Sequence, residues 1–498
     1  MPVSQLALPS AAREVSGLAL LLALLMLLAA GKAVLHDTLD PDCFWHLRVA
    51  EQIHAQGVRP LVDQLSFASI KQPWTPYSWL AELGMKWIWD QFGLRGAVAC
   101  QAILQAGFVL LIALCCLQRR NDDEAIQQLL PTILCTAFGL FLSLPYLSFR
   151  PVLLAIDLLA LCTLLLLRDQ RLSERTRAVW LLPLVAAVTI NLHIFAIFIP
   201  LFIGALLVGS WIERDRLKFK RYSILLACCL VGCCCTPMLG GTLQTIGDYA
   251  TANPLTAASM IAELEPMYRG ALHQITLVVV LLVAGCAVAK RTVRAGEMLW
   301  LGGVLVLWIK CGRAAPVFVP LFAPVMCAAM PRLSDRPLSG KWMQRIIAAV
   351  LVIGLTRIGL SLPRTDASEG WLNRRGPELP GYPTAAADFV QQKLQLRTAH
   401  LINEFDWGGY LAWKLPSYQI LLDGRTQLYT PDFWRRAYLT DRHETTRLLA
   451  GMEADAAILP LTKSRFRESL SQLGWKRVYK DERAEVLIPP ASVAGTSE

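Results

Sequence analysis

The chain has 498 residues, of which 55% are hydrophobic and only 17% are charged, and its mean hydropathy is +0.44. One soluble core cannot bury so much apolar surface, so the composition excludes a soluble globular protein and predicts a multi-pass membrane protein. The formal net charge is +10. Basic residues between apolar segments explain this charge as membrane topology, so no nucleic-acid partner is predicted.

Apolar runs of the length that crosses a bilayer, about 17 to 25 residues, recur along the chain. The stretch 178–211 is interrupted at Asn191 and His193, and we interpret it as two short spans because both flanking segments are basic and should face one compartment. The sequence therefore predicts a polytopic α-helical membrane protein of about eleven spans. The other spans lie near residues 16–35, 94–117, 126–145, 150–167, 222–238, 273–289, 297–310, 314–331 and 345–361.

The positive-inside rule orients these spans. The loops that carry Arg120, Arg171, Arg221, Lys290 and Arg332 all fall on one side, which is the cytoplasmic side. Residues 37–91 and 362–498 then lie outside the cytoplasm. We predict a transmembrane domain, 1–361, with a first outer loop at 37–91 that holds the catalytic groups, and an extracytoplasmic soluble α/β domain, 362–498, in a plasma (bacterial inner) membrane protein.

The first span has two interpretations. It is an uncleaved anchor, or it is a signal peptide whose apolar region is 18–30. The single preceding Arg13 and the apolar run that continues through Leu35 favour the anchor. The orientation of the later spans is the same in both cases.

The first outer loop begins with a helix signal. Asp40 is a preferred N-cap, Pro41 suits the first helical position and Gly57 supplies a stop, so we expect a helix over 41–56. Capping and the helix dipole alone would explain Asp40 and Asp42. The alternative is that these carboxylates, ionised beside the same dipole, act as a general base or hold a metal ion.

A second helix is predicted over 78–90, and it carries Glu82 as a supporting acid. Arg150, His193 and Arg313 lie at the outer ends of spans. Arginines at such positions commonly reach lipid phosphates. Two or three of them that converge below an acidic loop would instead bind the phosphate of a lipid-linked sugar, and we predict this role for these three residues.

The C-terminal segment has the pattern of an α/β domain. Helices are predicted over 383–394 and 463–473, and the segment 485–488 pairs antiparallel with 477–479. Further short strands are predicted at 400–403, 419–422 and 456–459. Together they form a small mixed sheet with flanking helices. The tail from Pro489 is rich in small residues and is expected to be mobile.

Three stretches resemble the membrane-embedded glycosyltransferases of the C superfamily (GT-C), and within it the catalytic subunit of oligosaccharyltransferase and related bacterial polyprenyl-phosphate-sugar transferases. In that family the first outer loop carries an acid-x-Asp pair, then aromatic residues and an arginine. This chain has Asp40 and Asp42, then Trp45 and Arg48, in the same order. By resemblance, Asp42 is the central catalytic or metal-binding carboxylate and Asp40 is its companion.

The other two stretches resemble the family's acceptor side. Glu263 lies in a later outer loop, where the family has a glutamate that reaches the active site. The segment 404–410, with Asp406 and Trp407, is similar to the family's Trp-Trp-Asp-Tyr-Gly motif, although the first two tryptophans are absent and a glycine is added. Asp423 follows at a comparable distance. A helix capped by Asp406 with a glycine-rich packing contact is the alternative.

The resemblance implies a membrane glycosyltransferase that moves a sugar from a polyprenyl-(di)phosphate-linked donor to an extracytoplasmic acceptor, which is a glycolipid, a polysaccharide or a protein. Asp42, Asp40 and Glu82 would be its acids, and a divalent cation, Mg or Mn, would bind at Asp42. Membrane lipid and glycan-assembly proteins are the expected partners. The alternatives are a non-catalytic scaffold of a glycan-assembly complex and a transporter of lipid-linked sugar.

Overall fold

The structure is a computed structural model. It describes residues 10–35, 39–118, 129–171, 176–250, 264–290, 292–330, 345, 349, 382–394, 397–462 and 464–490. The chain divides into two compact units. Unit 1 comprises Met1–His36, Val98–Thr236 and Ile261–Arg364, and unit 2 comprises Asp37–Ala97, Pro237–Met260 and Thr365–Glu498.

Unit 2 therefore combines the predicted first outer loop with the predicted C-terminal domain, although most of unit 1 separates them in sequence. The predicted boundary at residue 361 lies outside the described residues and stays a prediction. The predicted mobile tail lies outside them as well, apart from its first two residues.

Unit 1 consists of apolar helices. In the described ranges, five helices are long and apolar enough to cross a membrane: Trp79–Gln118, Pro151–Gln170, Ile194–Ile212, Ala271–Ala289 and Gly312–Ala329. The first of these begins in unit 2. Shorter apolar helices are Ala19–Gly31, Pro131–Tyr146 and Arg177–Leu192. These helices identify a multi-pass membrane protein, while the number of about eleven spans stays a prediction.

The helices before residue 331 are α1 (Ser10–Leu35), α2 (Asp42–Gln56), α3 (Trp79–Gln118), α4 (Leu129–Ser143), α5 (Pro151–Arg171), α6 (Leu182–Leu192), α7 (Phe198–Ile212), α8 (Arg216–Cys233), α9 (Leu239–Ala250), α10 (Ala271–Ala289), α11 (Ala295–Lys310) and α12 (Ala315–Ala329). Helices α7 and α11 approach each other closely. A Cβ at Gly209 would lie 2.2 Å from the Cα of Gly296, so small residues permit the contact.

The predicted interruption within 178–211 is confirmed. Helix α6 ends at Leu192, and His193 has extended torsions, φ −166° and ψ 148°. The Asn191 amide donates hydrogen bonds to the carbonyl oxygens of Ala187 and Cys235, each at 2.8 Å. The side chain thus satisfies backbone acceptors near the end of the helix, where carbonyls lose their intrahelical partners.

The N-terminal part of unit 2 follows the predicted helices. After α2, strands β1 (Leu61–Val62) and β2 (Pro73–Trp74) pair antiparallel. Helix α3 is interrupted at Gly93, whose torsions are φ 59° and ψ −149°. Only glycine adopts such torsions readily, so Gly93 divides the predicted outer helix from the predicted span.

The C-terminal part of unit 2 is a five-stranded mixed sheet, as predicted. The strand order is β4-β3-β5-β7-β6, in which β3 is parallel to β4 and β5, and β7 is antiparallel to β5 and β6. The strands are β3 (His400–Asn403), β4 (Gln419–Ile420), β5 (Ala456–Pro460), β6 (Lys476–Lys480) and β7 (Ala484–Ile488), and the helices are α13 (Thr384–Lys393), α14 (Gly408–Lys414), α15 (Pro431–Trp434), α16 (Arg442–Ala450) and α17 (Phe466–Gln472).

Candidate functional site

The start of α2 has the geometry that its sequence predicts. The Asp40 carboxylate accepts the backbone N–H of Asp42 at 3.0 Å, and the Asp40 carbonyl accepts the N–H of Cys43 at 3.0 Å. Pro41 has helical torsions, φ −55° and ψ −33°. At the other end Gly57 has a φ of 85°. Asp40 therefore caps the helix and orients the backbone of Asp42.

A buried tryptophan holds the Asp42 side chain. The indole N–H of Trp45, one helical turn later, donates a hydrogen bond to Oδ1 of Asp42 at 2.9 Å. Trp45 is only 9% exposed. Because the packing of the indole fixes its N–H, this contact sets the direction of the carboxylate more firmly than a flexible surface donor would.

Glycines of the C-terminal segment contact the start of α2. A Cβ at Gly424 would lie 1.9 Å from Oδ1 of Asp42, and a Cβ at Gly409 would lie 2.4 Å from the carbonyl oxygen of Pro41. Helix α14, which contains Gly409, packs against α2. Both positions accept only glycine in this arrangement, because any side chain would overlap the α2 backbone or its acid.

Asp406 lies close enough to Asp42 for the two charges to interact. Desolvation raises the pKa of Asp406, and the negative charge of Asp42 raises it further. No side-chain hydrogen bond caps the short turn Phe405–Trp407 or the helix that follows at Gly408. The alternative of a capping role for Asp406 therefore has no support from the geometry. The glycine-rich packing contact is observed.

A buried ion cluster fixes the turn that touches Asp42. Nε and Nη2 of Arg425 donate to Oδ1 and Oδ2 of Asp423 at 3.0 and 2.6 Å, and Nη1 donates to Oδ1 of Asp63 at 2.6 Å. All three side chains are 0% exposed. Although desolvation opposes it, the Arg425 charge holds the pKa of Asp63 below its ordinary value.

This cluster changes the interpretation of Asp423. We predicted it on the acceptor side, and in the structure both of its carboxylate oxygens accept hydrogen bonds from Arg425. The geometry favours a positioning role for Asp423 at the Gly424 turn. Arg425 and Asp63 were missed in the sequence, where the only available signal was the Asp-Gly-Arg order after a buried strand.

Glu82 is buried behind α2. Its Oε1 lies 2.9 Å from Nδ1 of His46, and its Oε2 is buried without a hydrogen-bond partner among the described residues. Glu82 is 2% exposed, and the charge of Arg425 also acts on it. Glu82 thus supports the α2 helix through His46, which is consistent with a supporting rather than a substrate-contacting position.

The three predicted phosphate-binding residues come together in unit 1. The charges of Arg313 and Arg150 both act on the imidazole of His193. Nδ1 of His193 accepts the N–H of Phe195 at 3.2 Å, so in the neutral ring Nε2 carries the proton. Nε of Arg150 donates to the Ser148 hydroxyl at 2.7 Å.

All three residues also precede helices. Arg150 comes before α5, His193 comes before the helical segment Ile194–Ile212, and Arg313 lies in the turn before α12. Helix N-termini carry partial positive charge and attract anions. Two guanidinium groups and an imidazole beside helix starts therefore form a suitable environment for a phosphate. The sequence indicates the ends of the spans, whereas the dipole contribution becomes apparent only once the helix starts are located in the structure.

Two predicted features remain without a structural test. Glu263 lies outside the described residues. Among the residues that are described, no group of three or more His, Cys, Asp and Glu side chains is arranged to hold a metal ion. The Mg or Mn predicted at Asp42 stays a prediction.

Solved structures of similar fold cover most of this chain. ArnT from Cupriavidus metallidurans in the apo state is 14% identical, with a TM-score of 0.53 over 97% of this chain and 99% of ArnT. ArnT bound to undecaprenyl phosphate is also 14% identical, with a TM-score of 0.50 over 98% of this chain and 100% of ArnT.

The archaeal oligosaccharyltransferase AglB from Archaeoglobus fulgidus, in complex with an inhibitory peptide and a dolichol-phosphate, is 10% identical, with a TM-score of 0.51 over 92% of this chain and 70% of AglB. No protein-family model matches the chain, and no curated protein sequence does so either. The predicted resemblance to GT-C glycosyltransferases is thus confirmed as similarity of fold over most of the chain.

Arg425→Met should destabilise the protein strongly, because it leaves Asp63 and Asp423 buried without their cation. Breaking a buried ion pair in this way costs about 3–5 kcal/mol. Thermal unfolding of the full-length protein in detergent measures the effect. Arg435→Met is the matched control, since its ion pair with Asp432 is 58% exposed on both sides and should contribute little. Equal unfolding temperatures for the two variants would contradict the cluster.

Gly424→Ala should also destabilise the protein, because the new Cβ overlaps Oδ1 of Asp42. Overpacking of this kind costs about 1–3 kcal/mol. Gly247→Ala in α9 is the control, since nothing lies within 4 Å of its Cβ position. In the same unfolding assay, Asp42→Ala should recover part of the loss when combined with Gly424→Ala, because it removes the overlapping oxygen. If the losses of stability of the two single variants simply add in the double variant, the contact between Gly424 and Asp42 is contradicted.

Proposed function

We propose that the protein is a membrane glycosyltransferase of the GT-C type, which transfers a sugar from a polyprenyl-(di)phosphate-linked donor to an extracytoplasmic acceptor. The observation that carries this proposal is the contact between the C-terminal segment and the first-loop motif: Gly409 lies against the carbonyl oxygen of Pro41, and Gly424 lies against Oδ1 of Asp42. The contacting segments are far apart in the chain and meet within unit 2, where the charge of Asp42 also raises the pKa of Asp406. The similarity of fold to AglB and ArnT supports the same assignment by analogy.

The donor carrier is assigned from the unit 1 cations and from the similar structures. The AglB structure contains a dolichol-phosphate and the ArnT structure an undecaprenyl phosphate. We assign Arg150, His193 and Arg313 to the phosphate of such a lipid. Two permanent cations and one N–H donor would stabilise the negative charge that grows on the phosphate as the sugar departs.

Asp42 is assigned as the general base. It would accept the proton of an acceptor hydroxyl while the acceptor oxygen bonds to the anomeric carbon and the bond from that carbon to the phosphate oxygen breaks. The phosphate leaves with the electron pair. The Trp45 N–H orients the Asp42 carboxylate, and Asp40 orients its backbone. Asp406, with its raised pKa, would hold a proton at a higher pH than an ordinary aspartate.

Two other proposals concern the environment of this reaction. We place the protein in the plasma membrane, the inner membrane of a bacterium, with the C-terminal domain outside the cytoplasm. We also propose a divalent cation, Mg or Mn, at Asp42, because one or two carboxylates together with a substrate phosphate can hold such an ion. No step above depends on that cation. Removal of divalent ions with EDTA, followed by return of Mg or Mn, tests it directly.

Asp42→Asn should reduce transfer about 10²- to 10⁴-fold, because it removes the base but keeps the size of the side chain. The measurement compares lipid-linked and surface glycans in cells that contain equal amounts of variant and wild-type protein. Asp90→Asn serves as the control, since this exposed acid of the same loop forms an ion pair with Lys86. A wild-type glycan profile for Asp42→Asn would refute the enzyme and favour the non-catalytic scaffold.

Arg313→Gln should weaken binding of undecaprenyl phosphate by about 10- to 100-fold, which corresponds to the loss of one hydrogen bond to a charged group. Binding to the purified protein in nanodiscs measures this change. The control is Arg216→Gln, which removes an exposed cation of unit 1 at the start of α8. An equal loss in both variants would indicate non-specific attraction of the lipid.

The transporter alternative makes a different prediction. A transporter would move a lipid-linked sugar across vesicle membranes and leave it intact, whereas a transferase releases the polyprenyl phosphate or diphosphate. Analysis of the lipid recovered from vesicles that contain the purified protein separates the two functions.

A further inference from the structure

Unit 2 contains a cavity that the proposed reaction does not use. Its volume is about 490 Å³, and it lies where the segments 70–75, 241–248 and 426–434 meet. This volume is within the range of sites for small molecules, about 300–1,000 Å³. Asp42 and Asp406 are not among its lining residues. The cavity is therefore a separate feature of the unit, and its chemistry can be considered independently.

Three aromatic side chains form rigid walls of the cavity. They are Trp74, Tyr429 and Trp434. Tyr429 and Trp434 are 4% and 3% exposed, and their ring centroids lie 5.4 Å apart in an edge-to-face arrangement. The Trp434 indole N–H donates to the carbonyl of Thr426 at 3.2 Å. Packing and hydrogen bonding thus hold these rings in place before any ligand binds.

The polar groups of the cavity are amides and hydroxyls. The amides belong to Gln72, Gln244 and Gln427, and the lining also includes Thr75, Thr245 and one acid, Asp248. None of the described lining residues is a lysine or an arginine. A phosphate or another anion would therefore find no cation here. Amides and hydroxyls each donate and accept hydrogen bonds, which makes them suited to a neutral ligand with many hydroxyl groups.

Trp74 contributes its ring to the lining. Its indole N–H is buried away from the cavity, so the ring surface rather than a hydrogen bond is what it offers to a ligand. The Arg425 guanidinium lies over the Trp74 ring, 5.8 Å from the ring centroid. The ring is thus anchored to the ion cluster.

We propose that this cavity binds neutral sugar rings of the acceptor. A pyranose has apolar C–H faces, which pack on aromatic rings, and an edge of hydroxyls, which pair with amides, and the cavity provides both. The inference rests on the proposed function in that it identifies the acceptor of the transfer as a glycan, in a polysaccharide or a glycolipid, rather than a protein. A peptide is the competing occupant, and the test below includes one as a probe.

The cavity is connected to the candidate site through a short piece of chain. Thr426 and Gln427 line the cavity, Arg425 forms the ion cluster, and Gly424 contacts Asp42. A glycan held by Gln427 would therefore be bound by the same turn that abuts the proposed base. This continuity gives the cavity a direct geometric relation to the proposed reaction within unit 2.

The test uses saturation-transfer NMR on the full-length protein in nanodiscs. The probes are neutral di- and trisaccharides of glucose, galactose and N-acetylglucosamine, and a peptide that contains Asn-Ala-Thr. We expect saturation of at least one saccharide and none of the peptide. Gln427→Ala should weaken that binding about tenfold, as expected for one lost hydrogen bond of about 1.4 kcal/mol, and Trp74→Phe should weaken it because the ring surface that packs on the sugar becomes smaller.

The controls keep the outcome interpretable. Gln427 is exposed, so Gln427→Ala should fold normally even if substitution of Trp74 does not. Gln391→Ala, an exposed glutamine of α13 outside the cavity, should bind as wild type. The absence of saccharide binding, equal binding by Gln427→Ala and wild type, or saturation of the peptide that Gln427→Ala abolishes would each overturn the proposal.

The same experiment separates this inference from the proposed function. Asp42→Asn should bind the saccharides with wild-type affinity, because the cavity does not include Asp42. If saccharides bind to the wild type and Asp42→Asn still transfers sugar normally, the assignment of the base fails and the cavity stands. If Asp42→Asn abolishes transfer and no saccharide binds, the enzyme stands and the cavity assignment fails.

Discussion

The candidate site depends on one buried guanidinium. Arg425 is enclosed by Asp423 and Asp63, which lie far apart in the sequence, and the guanidinium pairs with both acids in the folded unit. Burying such charges is favourable only when their geometry satisfies them, so the cluster specifies one arrangement of the turn. Gly424 lies inside that arrangement, between Asp423 and Arg425. The ion cluster therefore determines where the Gly424 turn lies against Asp42.

The acidic loop and the C-terminal domain therefore form one structural unit. A helix that begins with two acids would be marginal alone, because isolated helices of this length are barely stable in water. Here α14 packs on α2, and Phe44 contacts the rings of Tyr382, Tyr410 and Trp413. Apolar packing supplies the stability that lets Asp40 and Asp42 stand close to Asp406. The charged site is supported by an aromatic core.

Much of this architecture could be predicted from local signals. The cap at Asp40, the stop at Gly57, the break at His193 and the mixed C-terminal sheet all follow from short-range rules of capping, torsion and alternation, and the structure has them. The Arg425 cluster could not be predicted, because a buried charge is recognised only when its distant partners are known. The pairing of Asp423 with Arg425 could not be predicted for the same reason: an acid in a turn has the same local pattern whether it faces a ligand or a buried arginine.

The ion cluster also determines what a pH titration of this protein would report. An arginine does not lose its proton in the accessible range, and the lowered pKa of Asp63 means that its contribution is lost only in acid, as the pH falls through that lowered value. Burial shifts the pKa of the third member of the cluster, Asp423, upward, so Asp423 takes up a proton at a higher pH than Asp63 does. A titration of this protein would therefore report two acids with raised pKa values together, Asp406 beside Asp42 and Asp423 in the cluster, and substitution of one of them would be needed to assign either signal.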